Sequence, residues 1–260
     1  MGKLVLPKAF LIAETKVDYA AMDHALLHLG VDGWSSDGDT DADVLTEFAG
    51  KSCYMSFDKS LNQNLTKVGG RSNEAYIQEG IIGNKHGSVL EHSSVTFFLT
   101  NVSRVVTHEL VRHRAGTAFS QTSGRYVRSN DVDMYLPDEL AVYPEAVAVF
   151  QRANEQMEDN LAELVKITGI DTMTDFGLKK RLTSAFRRIL GNGQANHLVM
   201  TGNHRAWRHI IEMRTSVHAE EEIRVAIGDV AQQLKDKFPT IYGDMDKNEQ
   251  GEWVFAHSKV

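Results

Sequence analysis

The sequence predicts an α+β fold in a single domain, and three observations carry that prediction. Apolar residues at helical spacing dominate the 260 residues. One stretch, SSVTFFLT, has the β-branched and aromatic composition of a strand. No Pro-, Gly- or Ser-rich linker divides the chain.

Residues 17–29, VDYAAMDHALLHL, have the spacing of an amphipathic helix. The following Gly30 to Asp43 is an acidic, turn-rich loop; it lacks the ligand spacing and closing Glu of an EF-hand, so calcium is a poor reading. Val44 to Gly50 reads as a short helix, and the region from Leu61 to Asn84 mixes helical and loop signals. His86 to Glu91 leads into the SSVTFFLT strand. Asn101 or Ser103 then caps a helix expected to carry Arg104, His108, Glu109 and Arg112. Gly116 and Gly124 punctuate the next segment. Pro144 opens a long amphipathic helix to about Lys166, and residues 174–190 form another. After the break at Gly191 and Gly193, Asn196 to Met213 reads as a pair of short helical pieces or a bent helix. Ala219 to Lys235 is the last helix, with Val225, Ile227, Val230 and Leu234 as its apolar side, and little periodicity follows Pro239.

With 42% hydrophobic residues the chain has the means to bury a sizeable core. No run of 18 or more apolar residues occurs, and MGKLVLPKAF is too short and too interrupted for a secretion signal, so a cytoplasmic protein with no membrane partner is expected. The lone Cys53 excludes an intrachain disulfide and reads as a small buried hydrophobe. A net charge of −7 argues against a nucleic-acid polymer as partner.

Against that acidic background, THELVRHRAGTAFSQTSGRYVR (Thr107 to Arg128) gathers Arg112, His113, Arg114, Arg125 and Arg128 among hydroxyls and amides. Guanidiniums fork onto phosphate or carboxylate, and Ser, Thr and Gln add directional hydrogen bonds, so the segment suits a small anionic ligand such as a nucleotide. His108 and His113 are five apart, which does not make the paired-histidine face of a zinc protease; His24 and His28 have the right interval but no third ligand nearby, and no metal is expected. No glycine-rich phosphate loop or dinucleotide fingerprint follows a strand. A second cluster, NHLVMTGNHRAWRHIIEMRTSVH, offers Asn203, Arg205, His209, Arg214 and His218, and the two clusters are expected to converge on one pocket.

Read together, RHR at 112–114 and SGRY at 123–126, with Ser56 in CYMSF, HGSVLEH at 86–92, Arg187 in FRRIL, NHR at 203–205 and RTSVH at 214–218, resemble the flavin-dependent thymidylate synthase family in order, over residues 50 to 235. The chain departs from the family pattern in three places. Eight residues separate Arg114 from Ser123, one more than the pattern has; His204 stands where a small residue is common, and His209 where asparagine is frequent.

The resemblance implies an antiparallel sheet core surrounded by helices, within one domain over 1–260 that has a variable N-terminal region 1–50 and a tail 236–260. It implies a homotetramer with shared active sites, bound FAD, and NADPH and methylenetetrahydrofolate as cosubstrates in the methylation of dUMP to dTMP. Alternatives on the same scaffold are a methylase acting on UMP or another pyrimidine nucleotide, and a non-catalytic nucleotide-binding protein. Carried over by motif, flavin binding falls to Ser56, Ser88, Glu91, Arg112, His113, Arg114, Asn203, Arg205, His209 and His218. Nucleotide binding falls to Glu109, Arg112, Gln121, Thr122, Ser123, Gly124, Arg125, Arg187 and Arg214, with Arg214, Ser123 and His113 as catalytic residues and folate near His86 and His113.

Overall fold

The computed structural model describes residues 2–66, 68–128 and 131–260. Strands are β1 (Lys8–Glu14), β2 (Ser94–Ser103), β3 (Thr117–Gln121), β4 (Ala195–Asn203), β5 (Met245–Lys247) and β6 (Trp253–Phe255). Helices are α1 (Tyr19–His28), α2 (Asp41–Tyr54), α3 (Asn73–Ala75), α4 (Arg104–Leu110), α5 (Asp138–Ala141), α6 (Pro144–Thr168), α7 (Phe176–Phe186), α8 (His204–Arg214) and α9 (Glu221–Lys237). The central sheet runs β1-β2-β4-β3 with every pairing antiparallel, which bears out the α+β expectation.

β4 corrects the helical reading of Asn196 to Met213. Its alternate residues Asn196, Leu198 and Met200 are buried, a period of two that fits a strand paired on both sides. Helix begins only at His204, where Asn203 caps α8 by accepting from Ala206 N at 2.8 Å. Sequence patterning also misses β1 and β3, which form the two edges of the sheet, and the β5–β6 hairpin in the tail.

Helices α8 and α9 cover one face of the sheet. Val95, Phe97 and Leu99 of β2 and Leu198 and Met200 of β4 bury against Trp207, Ile210 and Ile211 and against Ile223, Ala226, Ile227, Val230, Ala231 and Leu234. Val225, expected on the apolar side of α9, is 41% exposed; Ala226 and Ala231 take the inward positions because small residues let the helix lie close. Gly202 has the same function in β4, since a Cβ there would lie 2.8 Å from Trp207 Nε1. On the opposite sheet face Phe10 and Ile12 of β1 stay exposed.

Between β2 and β4 the chain leaves the sheet, adds β3, and builds a helical lobe with its own apolar cluster of Val132, Met134, Leu161, Ile170 and Phe186. The two ends of this excursion meet at a neck, where Val105 N donates to Asn192 O at 3.2 Å. Ser103 closes the near side. It caps α4 by accepting from Val106 N, and Glu222 of α9 accepts both its N–H, at 2.6 Å, and its hydroxyl. Asn101, the other expected cap, instead sits at φ +57 in the irregularity between Leu99 and Val102. Cys53 is exposed, contrary to expectation, because it lies on the open side of α2.

Candidate functional site

The expected helix through Arg112 stops at Leu110, because the chain must turn back to enter β3. Arg112, His113 and Arg114 occupy that turn, so His108 and Arg112 do not share a helix face. Gly116, at φ +69, completes the reversal and its carbonyl accepts from Asn203 N at 3.0 Å. A Cβ at Gly116 would lie 2.4 Å from Asn203 Nδ2, so glycine is needed here for both backbone and space. Asn203 is thereby occupied as a helix cap and as the partner of this turn.

Three groups of the expected site residues come together. In the first, Arg214 at the end of α8 reaches Glu109 at the end of α4. Nη1 donates to Glu109 Oε2 at 2.5 Å, Nη2 to the Glu109 carbonyl at 3.3 Å, and Nε to His113 Nε2 at 2.8 Å. The His209 ring stands edge-on to His113, 5.8 Å between centroids. Burial, then the Arg214 charge and His209, push the His113 imidazole down to about 4. At neutral pH His113 is therefore uncharged. Since Nε2 accepts from Arg214, its proton sits on Nδ1.

The second group lies toward the start of α8 and shares His209 with the first. Arg205 pairs with Glu91 at 2.5 Å, beside Ser88 in the 3₁₀ turn Gly87–Glu91, and its Nε donates to Val260 O at 3.1 Å. Arg205 and His209 line a cavity of about 230 Å³ with His257 and Val260. Hydroxyl, guanidinium and imidazole on an open surface form a donor set that fits the phosphates of a flavin.

The third group is the loop after β3. Gln121 Nε2 donates to Thr107 Oγ1 at 3.0 Å, which fastens the strand end to α4. Ser123 makes a turn, its carbonyl accepting from Tyr126 N and Val127 N and its hydroxyl from Arg125 N at 3.3 Å. Among the described residues no histidine or carboxylate hydrogen-bonds that hydroxyl. Thr122 and Gly124 line one cavity of about 200 Å³, while Gly124 and Arg187 line a neighbouring one of about 330 Å³ whose far wall is Leu161, Val165 and Phe186.

Arg104 joins this third group, although its motif position did not mark it. It is the first residue of α4, half-buried, on the sheet side of the neck; Arg187 follows α7 on the lobe side. A Cβ at Gly124 would lie 3.4 Å from Arg104 Nη2 and 3.3 Å from Arg187 Cδ, so glycine lets both close in on the loop. Among the described residues, Arg128 pairs with Asp171 and Arg214 with Glu109, whereas Arg104 and Arg187 form no ion pair. Burial and the charge of Arg187 push Arg104 below the usual arginine range. Thr107, the partner of Gln121, also lay outside the expected set. The i, i+3 spacing of Arg104 and Thr107 was visible in the sequence, but only the pairing of β3 with β4 shows where that face points.

Other expected residues stay apart within the chain. Arg112, Arg114 and His218 are exposed. Arg125 faces a separate cleft with Phe176, Lys179 and Lys180. Ser56 follows α2 and hydrogen-bonds through its N–H to Lys51 O.

Comparison with known proteins identifies the family of the chain. Residues 37–240 match the family model described as thymidylate synthase complementing protein. The flavin-dependent thymidylate synthase of Mycobacteroides abscessus is 39% identical over 216 residues, 82% of this chain and 83% of that protein. The enzyme of the same name from Corynebacterium efficiens is 36% identical over 214 residues, 79% and 82% of the two chains. The fold is similar to that of the UMP/dUMP methylase PolB from Streptomyces cacaoi, with a TM-score of 0.64, 18% identity, and coverage of 94% of this chain and 96% of that one. With the family model spanning most of its length, the chain belongs to the flavin-dependent thymidylate synthase family.

Proposed function

We propose that this enzyme methylates dUMP to dTMP reductively on bound FAD, with methylenetetrahydrofolate as carbon donor and NADPH as reductant. The observation that carries the reading is the Glu109–Arg214–His113 cluster. Three of the five guanidinium donors of Arg214 are engaged, which fixes the group and leaves two N–H bonds for a ligand. A guanidinium fixed in this way is preorganised to meet negative charge developing on a pyrimidine carbonyl. Neutral His113 adds a donor at Nδ1 without a second charge. Ser123 positions the pyrimidine by hydrogen bonding, its hydroxyl being held in the turn by Arg125 N. The phosphate monoester would lie at Gly124 between Arg104 and Arg187, whose mutual repulsion a dianion relieves.

FAD, when bound, supplies the redox chemistry. Ser88, Arg205 and His209 would hold it, with Glu91 keeping Arg205 in place, and Ser56, Arg112, Arg114 and His218 would join from other subunits of a homotetramer. The exposed Phe10 and Ile12 on the open sheet face support assembly with further copies. We read residues 1–260 as one domain, since β1 enters the central sheet and the β5–β6 hairpin joins the main core. No helix among the described residues is long and apolar enough to cross a membrane, and a cytoplasmic location is part of the proposal.

A second reading, methylation of UMP, is prompted by the structural relative, a UMP/dUMP methylase bound with 5-Br UMP. Anaerobic incubation with FAD, NADPH, methylenetetrahydrofolate and competing dUMP and UMP, followed by product mass analysis, decides between them. We expect a methyl-group gain on dUMP. Preferential gain on UMP would move the enzyme to the second reading, and no gain on either despite flavin reduction would overturn both.

A further inference from the structure

The family match ends at residue 240, and the chain beyond it folds back onto the flank of α8 that carries Arg205 and His209. The return is built in steps. The β5–β6 hairpin joins the main core, and after Phe255 the backbone is gripped from below. Ala256 N donates to Asp244 O at 2.9 Å, His257 N to Asp244 Oδ2 at 3.1 Å, and the His257 carbonyl accepts from Arg208 Nη2 at 3.3 Å. Val260 then buries its side chain in the core and offers its carbonyl to Arg205 Nε at 3.1 Å.

Two backbone features show that this return is closely fitted. A Cβ at Gly87 would lie 2.1 Å from Val260 C, so only glycine in the turn before Ser88 admits the tail. Lys259 takes φ +62, the left-handed region that a lysine seldom adopts. Such a conformation persists where surrounding contacts over-determine it, and it recurs at ligand clamps. Here it joins Ser258, on the cavity wall, to the buried Val260.

The tail changes what the cavity can bind. Its own His257 and Lys259 stand on the wall with Arg205 and His209, and Glu212 is the acidic side chain that lines it with them. Arg208, also on the wall, is committed to Asp244. Arg205 spends Nε on Val260 and one Nη1 donor on Glu91, which fixes the plane of the guanidinium and leaves its remaining N–H bonds for a ligand. Without the tail, Arg205 loses one of these two fixed points and the cavity loses the side chains of His257, Ser258 and Lys259.

We propose that residues 256–260 form a strap that completes a subsite for the pyrophosphate of a dinucleotide, with His257 and Lys259 as ligand-binding residues and Val260 positioning Arg205. The proposal rests on the flavin reading above and deepens it, because it assigns the subsite to a part of the chain that lies outside the family match. A pyrophosphate presents two adjacent anionic groups, and donors arriving from α8 on one side and the strap on the other meet both. FAD and NADPH share this chemistry, and the experiment separates them.

The test titrates the full chain, stripped of flavin, with FAD, riboflavin, NADPH and inorganic pyrophosphate, and repeats this for the H257Q/K259Q double variant and for Lys259→Arg. Loss of charge-assisted contacts predicts FAD binding about ten- to a hundredfold weaker in the double variant. Riboflavin, which has no phosphate, should bind as it does to the parent, and Lys259→Arg should retain most of the FAD affinity. A loss confined to NADPH would support the subsite and assign it to the reductant. Equal affinity of parent and double variant for both dinucleotides, or an equal loss for FAD and riboflavin, would overturn the proposal. If inorganic pyrophosphate binds the parent more tightly than the double variant while neither dinucleotide binds, the subsite stands and the flavin reading fails.

Discussion

Arg208 and Arg104 lie at opposite extremes of how this fold treats a buried guanidinium. Arg208 on α8 is 4% exposed, with four of its donors engaged. It forks onto both oxygens of Asp244 at 2.7 and 2.8 Å and donates to the carbonyls of Ile241 and His257. Arg104 is half-buried with another arginine as its charged neighbour. Arg214 falls between them, held by Glu109 and His113 with two donors spare. The gradient separates structural from functional arginines better than motif position does. A charge that completes the fold brings its own acid, and a charge reserved for a ligand is left uncompensated or partly so.

The comparison is broken most forcefully at its structural end. Arg208→Ala leaves the Asp244 carboxylate buried without its partner, and such losses run to about 3–5 kcal/mol; urea denaturation should show the unfolding free energy lowered by that amount. At the intermediate position, Arg214→Ala should reduce kcat/KM about 10²–10³-fold, the effect of removing one preorganised donor, with a far smaller change in stability. Unchanged turnover with dUMP in that variant would remove Arg214 from the site. Gly202→Ala, which drives a methyl into Trp207, serves as a packing control; overpacking of about 1–3 kcal/mol is expected in thermal unfolding, with kcat/KM little changed.

The smallest effect concerns pH. Burial pushes His113 to about 4 and the wholly buried His204, whose Nδ1 meets Tyr242 Oη at 3.0 Å, to about 3. Both imidazoles bind protons more readily unfolded than folded, so their contribution is present above the ordinary value of 6.5 and is lost as pH falls toward 4. Glu222 acts in the opposite sense. Burial raises it to about 7 against the hydrogen bonds from Ser103, so its contribution is present below the ordinary 4.5 and is lost as pH rises through 7. Between these limits the two contributions oppose one another, and Glu222→Gln should steepen the rise of stability with pH. An identical slope in parent and variant would show that Glu222 titrates normally.

Much of the molecule was legible in the sequence where a local signal sufficed. Ser103 caps α4 as its position before the helix suggested, and α6 starts at Pro144 and runs to Thr168, close to the expected end. All of SSVTFFLT but its first residue lies within β2, and the RHR and SGRY motifs stand directly before and after β3. What escaped depended on contacts distant in sequence. NHLVMTGN resembles a helix start until β2 and β3 pair on its two sides; the tail's WVF becomes a strand only against Met245–Lys247. Arg104 reads as a solvated helix residue because its counterpart, Arg187, arrives after the whole lobe. His257 and Lys259 carry no periodicity at all, and only the grip of Arg208 and Arg205 on the backbone beside them gives them a place. The histidine at 204, one of the departures from the family pattern, is explained by a partner no local pattern could supply, Tyr242.

The Val105–Asn192 hydrogen bond at the neck gives the Arg104–Arg187 pair a consequence beyond recognition. Every residue of the lobe and of β3 lies between two points of the chain that this contact holds together, and the two arginines stand close to those points. An anion bridging them acts as a non-covalent staple on the whole excursion. Nucleotide should therefore slow amide hydrogen exchange cooperatively across the described residues of 104–194, including the Pro144 end of α6, which does not line the cavity at Gly124, because sub-global opening of the lobe would first have to release the ligand.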